Sequence, residues 1–386
     1  MNILYLLRGS NDNGISKVTN TLSNALTEVG HNVFVCVAEN IILENDRIEK
    51  FIFPDVDVSN FRRIVNNINS RKNIIFLNKI VIEKKIDIII NQECQSISWC
   101  KLCLEMKKKY AMNIISCLHF SILFQYKMEY HSLKSALLPN FLIEFLRRKR
   151  EIRWRNFAYD SSDFFVVLSE KFIDEFKKLE PKKNLEKLIC IENPLEKQTA
   201  ASSHYAQKEN TILYIGRIEE KQKRISYIID IWKIICKKNE FENWNLKIVG
   251  NGIDVENIKQ KAENLPRISF EGFQKSVTDY YQKAKILFLT SGFEGFPMVL
   301  VEAQNNGCIP IVMNSFSSLQ DIIEDGKNGF ITENNDLNKF AEIAMNLMKS
   351  EELQKIMSNN AVENAKRFSL EKILEKLENL LCRLYQ

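Results

Sequence analysis

Short apolar runs recur along the chain, each bounded by polar turn residues, and most are followed by a stretch whose apolar positions return every three or four residues. The first run is Asn2 to Leu7 and the second is VFVCVA, beginning at Val33. Between them, Ser16 to Val29 places Val18, Leu22, Ala25, Leu26 and Val29 on one helical face. A continuous apolar run of this length predicts a strand buried on both faces, and the longer period predicts an amphipathic helix. Strand, glycine-bearing loop, helix, strand is a βαβ unit and implies a parallel sheet. Further strands are predicted at Ile86 to Ile90, Asn113 to Leu118, Phe164 to Ser169 and Lys187 to Pro194. Residues 195–210, LEKQTAASSHYAQKEN, are small and polar and read as a linker. A second series then opens with Thr211 to Gly216 and continues through LKIVG, RISFEGF, ILFL (Ile286 to Leu289) and CIPIVM. Closing helices run from Asp336 to Tyr385. The expected fold is α/β: two doubly wound Rossmann-like domains, residues 1–194 and 211–368, facing each other across a cleft that suits a two-part substrate.

Composition narrows the class. A chain of 386 residues with 45% hydrophobic and 27% charged side chains has core enough for about two ordinary domains. The net charge of +5 is too small for a nucleic-acid binder, so no nucleic-acid partner is expected. Residues 1–194 carry 29 basic against 23 acidic side chains, so the whole surplus lies in the first half. That suits an acidic substrate or a membrane surface, and equally an ordinary solvated face. The run 141–157, FLIEFLRRKREIRWRNF, is a basic amphipathic helix that offers peripheral membrane contact or a plain outer face. Nine cysteines, odd in number and embedded in apolar runs, read as reduced thiols of a cytoplasmic protein. The opening residues lack the pattern of a signal peptide, and no run approaches the ~18 apolar residues of a membrane span. Cys100 and Cys103 form a CxxC on an amphipathic helix, where core thiols are the expected reading. Asp55 and Asp57 form a DxD beside Pro54 and read as turn acids, with no third ligand to make a metal site. No metal and no cofactor is expected.

The stretch Thr290 to Ala303, TSGFEGFPMVLVEA, carries the most chemistry. Gly292, Gly295 and Pro297 end a strand, and Pro297 at a first helical position starts a helix. Glu294 then sits in a strand-to-helix loop and Glu302 in the second turn of that helix. The N–H groups of Met298 and Val299 lie between them, and a helix N-terminus favours an anion. Open α/β sheets bind ligands at such strand ends. A second loop, after Gly216, carries Arg217, Lys221, Lys223 and Arg224. Cleaving a sugar–phosphate bond leaves growing negative charge on a diphosphate, which protein cations or a metal must offset. Each cation at ~4 Å supplies about 4 kcal/mol at an effective dielectric near 20, before desolvation. His119, at the end of the strand Asn113 to Leu118, points towards the crevice of the first domain or serves as a structural histidine. Gly14, at the start of the first helix, allows close backbone approach to a phosphate or simply a tight turn.

YIGRIEEKQKR, VGNG, FEGF and SGFEGFPMVLVEAQNNGCIPIV, in this order and spacing, resemble the retaining GT-B glycosyltransferases of the family 4 group (glycosyl transferases group 1). NGIS near the start and ENP before the linker match more weakly. The resemblance implies a catalytic Glu294 near the reacting sugar carbon and His119 beside the donor sugar. It implies diphosphate binding by Arg217, Lys223, Gly14, Met298 and Val299, with Lys221 the fallback for the lysine. Nucleotide and ribose contacts fall to Glu302, Gly250 and Phe273. Residues 369–386 are expected to form a helix packing back on the first domain. The implied activity is metal-independent transfer of a hexose, from a nucleotide-diphosphate sugar with UDP the expected nucleotide, to a surface-glycan or lipid-linked acceptor. The expected location is the cytoplasm or the inner face of the membrane. A nucleotide-sugar epimerase and a non-catalytic binding scaffold are the alternatives. Two departures stand out: Asn13-Gly14 replaces the usual Gly-Gly, and the loop from Arg217 to Lys223 is one residue longer than the commoner spacing.

Overall fold

A computed structural model describes residues 1–9, 14–56, 67–121, 149, 152–196 and 205–385. The chain folds as two units, Met1–Glu196 together with Leu370–Gln386, and Lys197–Ser369. Among the described residues every strand pairing is parallel.

The first unit holds a seven-stranded sheet in the order β3-β2-β1-β4-β5-β6-β7. These strands are β1 (Asn2–Leu7), β2 (Asn32–Val37), β3 (Glu49–Ile52), β4 (Ile88–Asn91), β5 (Asn113–Leu118), β6 (Phe164–Val167) and β7 (Leu188–Cys190). Successive side chains of a strand point to opposite faces, and both faces here are covered. Ile3, Tyr5 and Leu7 of β1 join a core with Leu22 and Leu26 of the helix Gly14–Glu28. Leu4 and Leu6 join the opposite core with Leu77, Ile80, Trp99 and Leu102. The helix Leu370–Arg383 returns to this unit, placing Ile373, Leu377, Leu380 and Leu381 in the first of those cores. His31 contacts Glu378 at 2.9 Å and Lys376 contacts Glu192 at 2.6 Å along the same helix. Cys100 and Cys103 are buried core thiols, and burial pushes Cys100 up to about 12. The backbone N–H of Asp55 donates to Asn73 Oδ1 at 3.0 Å, while Asp57 lies outside the described residues. So does most of the basic run 141–157.

The second unit holds a six-stranded sheet in the order β10-β9-β8-β11-β12-β13. Its strands are β8 (Glu209–Ile215), β9 (Asn245–Val249), β10 (Ile268–Gly272), β11 (Ala284–Leu289), β12 (Ile309–Met313) and β13 (Phe330–Thr332). Ile212, Tyr214, Ile286, Phe288 and Ile311 pack with Ile228, Trp232 and Phe340, and the Phe288 and Phe340 rings meet edge-on at 4.9 Å. The helix Met298–Asn305 packs against β12 and the helix Glu351–Ala365.

Three local readings change. Pro297 is the N-cap residue, not the first helical residue, because its ψ of 95° is extended. Residues 205–210, the end of the predicted linker 195–210, belong to the second unit: Tyr205–Gln207 form a 3-10 turn, Lys208 is buried and Glu209 begins β8. The short strands β3 and β13 were not anticipated from the apolar pattern. No helix among the described residues is long and apolar enough to cross a membrane.

Leu381 is fully buried. Leu381→Ala is expected to destabilise the first unit by about 2–4 kcal/mol in urea unfolding. An unchanged midpoint would separate the last helix from that core.

Candidate functional site

β8 and β11 are neighbours at the point where the strand order of the second sheet reverses. The chain leaves β8 towards β9 on one side and leaves β11 towards β12 on the other. The loops following their carboxyl ends therefore part at a switch point, where open α/β sheets bind ligands.

Those two loops are bound to each other. The Thr290 hydroxyl donates to the carbonyls of Lys223 (3.1 Å) and Arg224 (3.0 Å), and Gly292 N donates to Gln222 O at 2.7 Å. On its other side the β11 loop is held from the β12 loop. Ser318 Oγ donates to Gly295 O at 2.6 Å, and Ser315 Oγ donates to Ser291 O. Gly292 lies close under the Arg224 guanidinium, where an added Cβ would sit 2.7 Å from Nε and Nη2 and push that side chain aside. Gly250 is required more strictly, since its φ is +140° and a Cβ would come 1.9 Å from Gly216 O, a backbone atom. The VGNG turn thus lies directly on the backbone of the Gly216 loop.

At the centre, Lys223 Nζ meets Glu294 Oε1 at 2.6 Å, with side-chain exposures of only 14% and 9%. Gln222 Nε2 donates to Phe293 O (3.3 Å) and towards Glu294 Oε2 (3.5 Å), and Gln222 Oε1 accepts from Arg217 Nη2 at 3.0 Å. Gln222 therefore links Arg217 to the acidic loop, a role the sequence reading did not give it. Arg217 itself is 68% exposed and also pairs with Glu219 at 3.2 Å. The Tyr214 hydroxyl donates to Arg217 O at 2.7 Å, and burial holds that phenol well above its ordinary value. Lys221 is exposed on the short helix Glu220–Lys223. Arg224, directly after Lys223, has φ 49° and ψ 48°, the left-handed conformation for which glycine is the usual choice.

Further along, Met298 and Val299 open the helix that carries half-buried Glu302, and the Tyr281 hydroxyl donates to Glu302 Oε2 at 2.8 Å. Gly250 N donates to Gly272 O at 2.8 Å, and the neighbouring Phe273 is 71% exposed. Arg217, Lys223, Gly250, Phe273, Glu294, Met298, Val299 and Glu302 thus all lie on loops or helix starts after the strands of the second unit. Gly14 and His119 belong to the first unit. Gly14 is exposed at the helix start, and a Cβ there would meet nothing within 4 Å, so chain packing does not demand glycine. His119 Nε2 lies 2.5 Å from Gln92 Oε1, at the end of the adjacent strand. Burial lowers the His119 pKa to about 4, so the ring is neutral at ordinary pH. Among the described residues no group of three or more His, Cys, Asp or Glu could hold a metal ion.

The fold defines a class: two parallel-sheet Rossmann-like units, the plan of GT-B glycosyltransferases. The lipopolysaccharide outer core galactosyltransferase WaaB is similar, with a TM-score of 0.71 and 20% identity, over 99% of each chain. Sucrose-phosphate synthase of Thermosynechococcus elongatus reaches a TM-score of 0.80 at 15% identity, over 100% of this chain and 99% of that one. HepE of Anabaena, in a structure with UDP-glucose, gives 0.73 at 15% identity, over 99% and 100%. Residues 196–364 match the family described as glycosyl transferases group 1. An uncharacterized glycosyltransferase of Haemophilus influenzae is 30% identical over 198 residues, 50% of this chain and 55% of its own length. The Campylobacter jejuni GalNAc-alpha-(1->4)-GalNAc-alpha-(1->3)-diNAcBac-PP-undecaprenol alpha-1,4-N-acetyl-D-galactosaminyltransferase is 28% identical over 46% of this chain and 49% of its own. The chain spans about half the length of these curated relatives.

Two outcomes follow from this geometry. Lys223→Met strands the Glu294 carboxylate and is expected to destabilise the second unit by roughly 2–3 kcal/mol in urea unfolding, whereas Lys221→Met leaves it unchanged. For His119 the folded value lies below the ordinary 6.5, so its stabilising contribution is full above pH 6.5 and is lost as pH falls towards 4. The wild type is therefore expected to lose more melting temperature between pH 7 and pH 5 than His119→Gln does. Parallel losses in both would remove the buried-neutral assignment.

Proposed function

We propose that this protein is a glycosyltransferase that moves a hexose from a nucleotide-diphosphate sugar to a hydroxyl of a glycan or lipid-linked acceptor, with retention and without a metal. UDP is the proposed nucleotide. The observation that carries the reading is the Lys223–Glu294 pair, with Arg217 joined to it through Gln222, beside a helix N-terminus at the switch point of the second sheet. An ammonium has three N–H donors, so Lys223 can hold Glu294 and still donate to a phosphate oxygen. Arg217, exposed and on a backbone fixed by Tyr214, would reach for the same anion. The contact of Lys223 with Glu294, against the exposure of Lys221, supports Lys223 as the diphosphate lysine.

In the proposed step, the bond from the anomeric carbon to the diphosphate oxygen breaks and its electron pair leaves with the diphosphate. The acceptor oxygen bonds to the same face of that carbon, and its proton passes to the departing diphosphate. Lys223, Arg217 and the N–H groups at Met298 and Val299 would offset the charge that grows on the leaving group. Glu294 would face the sugar near the reacting carbon, and Glu302 the ribose. The first unit, with Gly14 and neutral His119 at its strand and helix ends, is the proposed acceptor unit. The relatives that act in bacterial glycan assembly, among them the amylovoran biosynthesis glycosyltransferase AmsD of Erwinia amylovora, support this acceptor class.

The test is turnover of a panel of nucleotide-sugars with glycan acceptors, with and without EDTA. Expected are EDTA-insensitive transfer, a loss of at least about a hundredfold in turnover for Glu294→Ala at nearly unchanged donor affinity, and mainly weaker nucleotide binding for Glu302→Ala. Small, equal effects of both substitutions would contradict these roles. An isomerised nucleotide-sugar formed without acceptor would mark an epimerase, and donor binding without turnover a scaffold.

A further inference from the structure

The helix Thr278–Lys283 lies outside every motif read from the sequence, yet it sends one side chain to the proposed ribose site. Tyr281 is 1% exposed, and its hydroxyl donates to Glu302 Oε2 across 21 residues of chain at 2.8 Å. A phenol buried among apolar groups would fill its space as well as phenylalanine does, so the hydroxyl is there for its partner. Burial, with the Glu302 charge beside it, keeps the phenol protonated and thus a donor.

The backbone under Tyr281 is fixed as well. The buried Lys208 ammonium donates to Tyr281 O (2.9 Å), Gln282 O (3.1 Å) and Ala284 O (2.8 Å), at the carboxyl end of the same helix. Three donors on three carbonyls satisfy all its N–H groups, and a cation at a helix C-terminus also meets the helix dipole favourably. Lys208 therefore holds the end of the helix that carries the Tyr281 ring to the Glu302 carboxylate.

We propose that Tyr281 is a positioning residue, which fixes the carboxylate plane of Glu302 for the vicinal hydroxyls of the nucleotide ribose. This rests on the reading of Glu302 as the ribose ligand. A carboxylate receives a 2′,3′-diol well only in a narrow range of orientations, and one locked oxygen removes the rotation that would otherwise be lost on binding.

The test compares binding of UDP and of 2′,3′-dideoxy-UDP to the full chain by titration calorimetry, for wild type, Tyr281→Phe and Glu302→Ala. The wild type is expected to prefer UDP. Tyr281→Phe is expected to weaken UDP about five- to tenfold while leaving the dideoxy analogue unchanged, and Glu302→Ala to abolish the preference. If Tyr281→Phe weakens both nucleotides equally, or neither, the proposal is overturned while the Glu302 reading stands. If Glu302→Ala leaves the preference intact, the ribose reading itself fails and the proposal falls with it. A melting temperature for each variant separates loss of binding from loss of folded protein.

Discussion

The ion pair between Lys223 and Glu294 is the constraint around which the second unit is arranged. Both side chains are largely removed from water, and such a pair gives back its desolvation only with close geometry and further hydrogen bonds. The 2.6 Å contact and the approach of Gln222 supply both. A pair of well-packed apolar residues would serve stability as well. Its placement, on two loops that part at the switch point, is what gives it meaning. Thr290 and Gly292 lock the loop backbones, Gly216 and Gly250 let the VGNG turn press on them, and the charges are thereby held at the proposed anion site. Preorganised charge of this kind needs no rearrangement when negative charge develops on a leaving group.

Much of this architecture was legible in the apolar pattern because both sheets are parallel and covered on both faces. Runs such as Asn2 to Leu7, apolar from Ile3 onward, and Ile286 to Leu289 are unbroken and long enough to register. The strands that escaped are β3 and β13, edge strands of four and three residues with mostly half-buried or exposed side chains. Each buries at most one side chain, too little to leave an apolar run that stands out from its flanks. The polar stretch ends earlier in the fold than in the sequence for a related reason: Lys208 looks polar in sequence, yet three carbonyls make its burial tolerable. Pro297 signalled the helix start to within one residue.

The candidate site was legible only in part. Glu294, Glu302 and the cationic loop stood out because their spacing is local to two βα turns. Gln222 and Tyr281 did not, because their meaning lies in contacts made 72 and 21 residues away. Gln222 lay inside the QKR run and could have been found by asking which neutral side chain separates the cations. Tyr281 gave no such signal. Between the two lysines the family resemblance favours Lys223 and keeps Lys221 as the fallback, and the fold adds that Lys221 is exposed while Lys223 meets Glu294.

The central claim is that side-chain charge, with Lys223 foremost, binds the diphosphate of the donor. Its most direct test is calorimetric binding of UDP and of uridine, in EDTA, to the wild type and to Lys223→Met. The account predicts that the substitution weakens UDP by about tenfold or more and leaves uridine unchanged. Equal weakening of both, or UDP binding that appears only when a divalent cation is added, would contradict it.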